Sequence, residues 1–174
     1  MPKTSLVFTI LGEDRPGLVD SIAQTVAANG GNWVESRMAH LAGQFAGILR
    51  VEVDVEQADA LTAEISALSE GGLKSTVLAD SAVADATRKP VAQLSLVGQD
   101  RPGIVRDISR ALAKYGVNVE ELNTEVTRAA NTGQTLFQAK AQLRLPENVS
   151  ADTLRNALEE VATDLMVDLT LESP

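Results

Sequence analysis

Apolar residues recur along this chain with two alternating periods, and the same order of periods occurs twice. Every second residue is apolar in two short runs, which is typical of a half-buried strand: Leu6, Phe8 and Ile10, then Ala92, Leu94 and Leu96. After each run the apolar residues recur at every fourth position and predict a helix with one buried stripe: Leu18, Ile22 and Val26, then Ile104, Ile108 and Leu112. Gly30 and Gly116 predict the helix ends, because glycine readily adopts the left-handed cap.

The rest of each half shows two more strands, a second helix and a last strand. The predicted elements are strands 32–41 and 45–55, a helix over Ala58 to Leu68 and strand 74–79, then strands 118–128 and 135–145, a helix over Leu154 to Val161 and strand 166–172. The connection 129–133 is predicted to add four residues to the second hairpin. This order predicts an α+β protein with two ferredoxin-like βαββαβ units, each an antiparallel sheet with both helices on one face.

A repeated motif supports a duplication. Residues 12–19 read GEDRPGLV and residues 98–105 read GQDRPGIV, so six of eight positions are identical at an offset of 86. The same offset relates Asn32 to Asn118. Residues 81–89 are rich in Ala, Asp and Ser without periodicity, and they predict a linker between domains 1–80 and 90–174.

Composition narrows the chemistry. The 15 Lys and Arg against 24 Asp and Glu give a net charge of −9, which disfavours direct binding to a phosphate backbone. The absence of cysteine excludes disulfides and thiolate metal sites, and no cofactor is expected. Stacking aromatics for RNA are also missing, since Phe8 and Phe45 have Leu94 and Thr135 as their expected repeat partners. Without a long apolar run or a signal peptide, we expect a cytoplasmic protein that does not enter membranes.

No catalytic constellation emerges from the sequence, so we expect no enzymatic activity. His40 is the only histidine, and its repeat partner at an offset of 90 is Ala130, in the longer connection. We predict that His40 is a surface or core residue rather than a ligand contact. The acidic pairs Glu120–Glu121 and Glu159–Glu160 are predicted to be solvated, because adjacent side chains in a strand or helix point apart.

The Asp-Arg-Pro-Gly segment joins the first strand of each half to the start of a helix. Free amides and the positive end of the helix dipole favour a carboxylate there. Asp14 and Asp100 could cap the helix or hold an ammonium group, and amides plus a carboxylate suit an α-amino acid. The simpler interpretation is a tight turn that starts a helix well, with Pro16 and Pro102 suited to that start. The residues alone leave both interpretations open.

The motif Gly-x-Asp-Arg-Pro-Gly-[Leu/Ile]-Val, followed by a helix and Gly-x-Asn, resembles the ACT domain, a small regulatory module that binds amino acids. Two such units over residues 5 to 172 resemble the glycine cleavage system transcriptional repressor family. The resemblance implies ligand contacts at an interface between neighbouring ACT units, from the following residues: Asp14, Arg15, Gly17, Leu18 and Asn32, and Asp100, Arg101, Gly103, Ile104 and Asn118. It also implies a homo-oligomer that binds a small amino acid, glycine or serine first, and acts through a partner transcriptional regulator.

Two functional classes stay open at this point. One is an amino-acid-sensing regulator, and the other is an ACT-type interaction or dimerisation module that binds no ligand. We predict that Trp33 fills the core or an interface rather than lining a ligand pocket. Arg106, Arg110 and Lys114 form a basic stripe on one helix, which is either a solvated face or a docking surface for an acidic partner.

Overall fold

The structure is a computed structural model that describes residues 1–79 and 91–173, which fall into two compact units. The predicted linker 81–89 and the predicted boundaries at residues 80 and 90 lie outside the described residues. The first unit contains β1 Lys3–Glu13, α1 Leu18–Ala28, β2 Asn32–Leu41, β3 Gln44–Asp54, α2 Ala58–Ala67 and β4 Leu73–Ala79. Short 3-10 turns flank α2 at Val55–Gln57 and Leu68–Gly71.

The second unit repeats this order of elements. It contains β5 Ala92–Gln99, α3 Ile104–Lys114, β6 Asn118–Arg128, β7 Thr135–Arg144, α4 Ala151–Leu165 and β8 Val167–Glu172. Ser150 caps α4, since its side chain accepts a hydrogen bond from the backbone N–H of Thr153. The strand orders are β2-β3-β1-β4 and β6-β7-β5-β8, and every strand pair is antiparallel. The predicted α+β class and ferredoxin-like arrangement are confirmed.

Each unit has its own hydrophobic core between its sheet and its two helices. The alternating strand positions and the fourth-residue helix positions predicted to be apolar and inward are buried, including Ile10 and Ile22 in the first unit. The central strands β1 and β5 lie between two neighbours, so their ends are fixed from both sides. The turn that follows each central strand is therefore attached to the most constrained part of the sheet.

The strand register corrects one prediction about the repeat. Gly12 lies opposite Phe45 and Gly98 lies opposite Phe137, so the third strands are related by an offset of 92 rather than 90. The second hairpin therefore holds six extra residues instead of four, and they form a turn of their own in which Gly133 N–H donates to the carbonyl of Ala129 at 2.9 Å. The counterpart of Phe45 is Phe137, not Thr135, and both rings are buried in the cores.

Candidate functional site

The Asp-Arg-Pro-Gly segment forms the same backbone turn in both units. Gly17 has φ 88° and ψ 1°, and Gly103 has φ 97° and ψ −8°. These are the values of the third residue of a type II turn, where glycine is favoured and proline commonly precedes it. The helices begin at Leu18 and Ile104, so both prolines lie in the turn, before the first helical residue. The turn itself therefore requires the second glycine of the motif.

The first glycine of the motif has a different role, which is close packing between strands. A Cβ atom added to Gly98 would lie 2.4 Å from Val167 Cγ1 of β8. A Cβ atom added to Gly12 would lie 2.9 Å from the carbonyl oxygen of Gly72. The central strand thus approaches its neighbour too closely for any side chain at this position, and this approach fixes where the turn begins.

The helices that follow the two turns, α1 and α3, begin without a side-chain cap. The first bonds within the helices run from Ser21 N–H to the Gly17 carbonyl and from Asp107 N–H to the Gly103 carbonyl, each at 2.9 Å. Neither cap position makes a side-chain hydrogen bond, and within the described residues neither Asp14 nor Asp100 reaches the helix amides. The capping role is therefore wrong. The amides of the first helical turn stay available for an anionic group.

Leu18 and Ile104 bury their side chains in the two cores, with 5% and 2% of their surface exposed. Each can therefore offer a ligand only its backbone N–H.

The motif arginines point towards the second helix of their own unit. Arg101 donates to the carbonyl oxygen of Asp164 near the end of α4 at 3.3 Å, and Arg15 lies against Gly71, which precedes β4. Arg101 thus ties its turn to the end of α4, whereas Arg15 lies beside the 3-10 turn that follows α2.

The asparagines predicted to complete the site lie at the opposite end of each sheet. Asn32 pairs with Glu52, which pairs with Ser5 near the start of β1, whereas the turn follows Glu13 at its end. The intervening helix α1 has 11 residues and is about 16 Å long, at roughly 1.5 Å per residue. One unit alone therefore does not bring Asn32 to its own turn, and the same register separates Asn118 from Gly103.

Asn118 and the acidic pair beside it make local contacts. The Asn118 side chain donates to Glu120 Oε1 at 2.6 Å, and the same carboxylate accepts from Arg144 Nε at 3.0 Å. The Glu121 carboxylate accepts from Asn123 at 2.7 Å. Glu120 is exposed, as predicted, and in addition its carboxylate pairs with Arg144 beside a bulge between Val119 and Glu121. Within the described residues, no three His, Asp or Glu side chains are placed to share a metal ion.

Comparison with known families identifies the repeated unit. Models of the ACT domain match residues 4–74 and residues 92–140. The chain belongs to the ACT-domain proteins and carries two such domains in tandem. It is 26% identical over 164 residues to the glycine cleavage system transcriptional repressor of Escherichia coli K12, a match that covers 92% of this chain and 85% of that protein. A UPF0237 protein of Methanopyrus kandleri is 34% identical over 82 residues, which are 47% of this chain and 84% of that protein.

Two solved structures share the tandem ACT fold. An unknown protein from Galdieria sulphuraria superposes with a TM-score of 0.87 at 29% identity, covering 99% of both chains. A protein assigned as a glycine cleavage system transcriptional repressor superposes with a TM-score of 0.74 at 16% identity, covering 100% of this chain and 99% of its own. At 16% identity the second match shows the fold alone. The two ACT domains and the similarity to a repressor support a regulatory role in amino-acid sensing.

The two ACT domains differ beside their first helices. In the first domain, Trp33 and Met38 of the edge strand pack against the core, and Trp33 Nε1 donates to Ser36 Oγ at 3.1 Å. The prediction that Trp33 is a core filler is confirmed. The strand register matches Trp33, Ser36 and Met38 of the first domain with Val119, Leu122 and Thr124 of the second, in that order. Val119 and Leu122 line an apolar cleft between α3 and the sheet, together with Val105, Ser109 and Phe137.

A buried polar contact in the first domain gave no signal in the sequence. Asn29 at the end of α1 is 8% exposed, and its side chain donates to the carbonyl of Thr25 at 2.9 Å and to Glu64 of α2 at 2.7 Å. This contact joins the two helices. Tyr115 ends α3 at the corresponding place of the second domain and packs against the apolar core instead, so the motif repeat does not reveal it.

The basic stripe on α3 is partly neutralised. Arg106 Nε donates to Asp107 Oδ1 at 2.8 Å, and this hydrogen bond lowers the pKa of Asp107 below its ordinary value. The charge of nearby Arg110 acts on the pKa of Asp107 in the same direction. Asp107 therefore remains a carboxylate near neutral pH and offsets part of the positive charge of the stripe. Arg110 and Lys114 carry the remaining charge of the stripe.

Among the described residues, no helix is long and apolar enough to span a membrane.

Proposed function

We propose that this tandem ACT protein is a non-catalytic regulator that senses a small amino acid, glycine or serine first. We further propose that it acts on transcription through a partner regulator and without direct DNA contact, which fits its net charge of −9. The observation that carries the proposal is the repeated turn that leaves uncapped helix amides beside an exposed aspartate. The name of the Escherichia coli relative supports the choice of transcription and of glycine.

The chemistry of the turn matches the two ends of an α-amino acid. The ligand carboxylate accepts hydrogen bonds from amides of the first helical turn, at residues 18–20 or 104–106, with help from the helix dipole. The ammonium group is held by the carboxylate of Asp14 or Asp100. The space beside Gly17 is open, since an added Cβ atom would meet nothing within 4 Å, whereas the space beside Gly103 borders the side chains of Arg106 and Asp107.

The asparagine contacts in this proposal come from a second ACT unit, because Asn32 and Asn118 lie far from the turn of their own unit. We therefore propose that the protein works as a homo-oligomer. Gly17 and Gly103 provide the backbone conformation of the turn, and Arg101 holds its turn through a hydrogen bond to the end of α4. The proposed site thus combines groups that bind ligand with groups that hold the turn.

A thermal-shift screen against the twenty amino acids tests the proposal. Glycine or serine is expected to raise the melting temperature, because a ligand that binds only the folded state stabilises it by about 2.7 kcal/mol at a hundredfold excess over Kd. Acetate and methylamine serve as matched controls that each carry one end of the ligand, and neither is expected to reproduce the shift. If none of the twenty amino acids at millimolar concentration shifts the melting temperature or gives calorimetric heat, the protein is an interaction module and the sensing role is rejected.

Charge reversal on α3 tests the partner-mediated action. Because Asp107 already neutralises Arg106, the double variant Arg110→Glu/Lys114→Glu is expected to lower recovery of the partner regulator more than Arg106→Glu does. Added salt is expected to weaken recovery by wild type, since electrostatic encounter is screened by ions. Quantitative pull-down with tagged protein measures both effects, and the amino-acid affinity of the double variant is the control that stays unchanged. Equal recovery by all variants would show that this surface is a solvated face.

A further inference from the structure

We infer that the second ACT domain is the stronger amino-acid site, because His40 already occupies the aspartate of the first domain. This inference rests on the proposed function. It assigns the two ACT domains different affinities for the amino acid. It comes from a contact between three segments of the first domain: the turn after β1, the end of β2, and the hairpin that leads to β3. The second domain keeps the turn and its backbone link to a hairpin that is six residues longer, but it lacks the histidine.

In the first domain, both ring nitrogens of His40 are engaged. Nδ1 lies 3.0 Å from Asp14 Oδ2, and Nε2 accepts a hydrogen bond from the backbone N–H of Gly43 at 3.3 Å. With Nε2 as the acceptor, the ring donates its Nδ1 proton to the carboxylate of Asp14. The backbone N–H of Asp14 also donates to the Gly43 carbonyl at 2.9 Å. The ring is therefore held between the turn and the hairpin.

The imidazole N–H takes the place that a ligand ammonium group would take at Asp14. Both are N–H donors to the same carboxylate, so the ligand must displace the ring or share the carboxylate with it. The pair is partly exposed, with 58% of the His40 side chain and 33% of the Asp14 side chain accessible to solvent. Exposed pairs are weak, so we expect His40 to reduce the affinity of the first domain by about fivefold.

The second domain presents the same turn with an open carboxylate. Asp100 N–H donates to the Thr135 carbonyl at 2.9 Å, which reproduces the backbone link between turn and hairpin. Val126 lies opposite Phe137 as His40 lies opposite Phe45, so an apolar side chain stands where the imidazole stands in the first domain. In the part of the chain that the structure describes, the Asp100 carboxylate has no hydrogen-bond or ion-pair partner. It is available to an ammonium group without competition.

A matched pair of variants at the two aspartates tests this inference by titration calorimetry with serine. Wild type is expected to show a stronger and a weaker class of site, separated by about fivefold. Asp100→Asn is expected to remove the stronger class, whereas Asp14→Asn is expected to leave it unchanged. Both substitutions keep the size of the side chain at exposed positions. His40→Val, which copies Val126, is expected to bring the first domain within about twofold of the second.

His40 is the single histidine of the chain, so its signals give a second readout. This readout does not depend on fitting two classes of site to the calorimetric data. Nitrogen NMR of the His40 ring is expected to show the Nδ1–H tautomer, and its signals are expected to stay constant until the stronger site is saturated. Equal losses of binding from Asp14→Asn and Asp100→Asn, or a shift of the His40 signals in the first part of the titration, would overturn the inference and leave amino-acid sensing intact. No binding of any amino acid to wild type would reject both.

Discussion

Replacing Gly98 with alanine is expected to destabilise the second ACT domain by about 1–3 kcal/mol. The added Cβ atom would lie 2.4 Å from Val167 Cγ1, 2.9 Å from Val167 Cβ and 3.1 Å from its Cα. The last two atoms belong to the base of a residue in the paired strand β8, so rotating a side chain does not relieve the clash. The central strand and β8 must move apart, and the turn that follows Gly98 moves with them.

Unfolding followed by two probes separates the domains in this experiment. Trp33, the single tryptophan, reports on the first domain, while circular dichroism reports on both. The Gly98→Ala variant is expected to unfold earlier by circular dichroism, by roughly 4–8 °C for each kcal/mol lost in a domain of this size, with unchanged Trp33 fluorescence. Ser95→Ala is the control, since Ser95 lies on the exposed face of the same strand. Coincident melting of Gly98→Ala and wild type would show that the strands tolerate the extra atom.

Trp33→Val is expected to destabilise the first ACT domain by about 2 kcal/mol. The figure is below the cost of removing a fully buried aromatic ring, because the Trp33 side chain is only partly buried. The variant copies Val119 and opens an apolar cleft beside α1 like the one beside α3. Chemical unfolding followed by circular dichroism measures the loss, and the fluorescence of an apolar dye measures the new cleft.

The reverse exchange is the matched control for Trp33. Val119→Trp/Leu122→Ser places an indole in the second cleft together with the hydroxyl acceptor that Ser36 supplies to Trp33 in the first domain. This double variant is expected to bind less dye than wild type. If Trp33→Val melts with wild type and takes up no additional dye, then Trp33 is a surface ring and the cleft of the second domain has another cause.

The order of elements could be predicted because it depends on short-range patterns. The period-2 run ending at Ile10 and the fourth-residue stripe from Leu18 place a strand and a helix around a Pro-Gly turn, and local chemistry decides each of them. The hairpin of the second domain was less predictable. Its extra residues form a separate turn between Ala129 and Gln134, and no periodic pattern marks where a strand resumes after such a turn.

The candidate site was only partly predictable, because its key contact joins segments that are distant in sequence. The uncapped amides follow from the local turn, whereas the contact of Asp14 with His40 depends on how far β2 extends beside β3. Applying the third-strand offset of 90 to a residue of the second strand paired His40 with Ala130, four residues beyond its counterpart Val126, which the offset of 86 gives. Similarly, nothing in the motif indicates that Asn32 and the turn occupy opposite ends of a sheet.

The close approach of β5 and β8 at Gly98 has a consequence for how a signal leaves the protein. The spacing of these two paired strands sets the position of the turn, so under the proposed function the amides of α3 already stand in the geometry that receives the ligand carboxylate. A site prepared in this way spends little binding energy on reordering its own domain. Under the proposed function, ligand binding then has little shape change to transmit within one domain, and we expect the signal to a partner regulator to depend on which protein surfaces the ligand brings together.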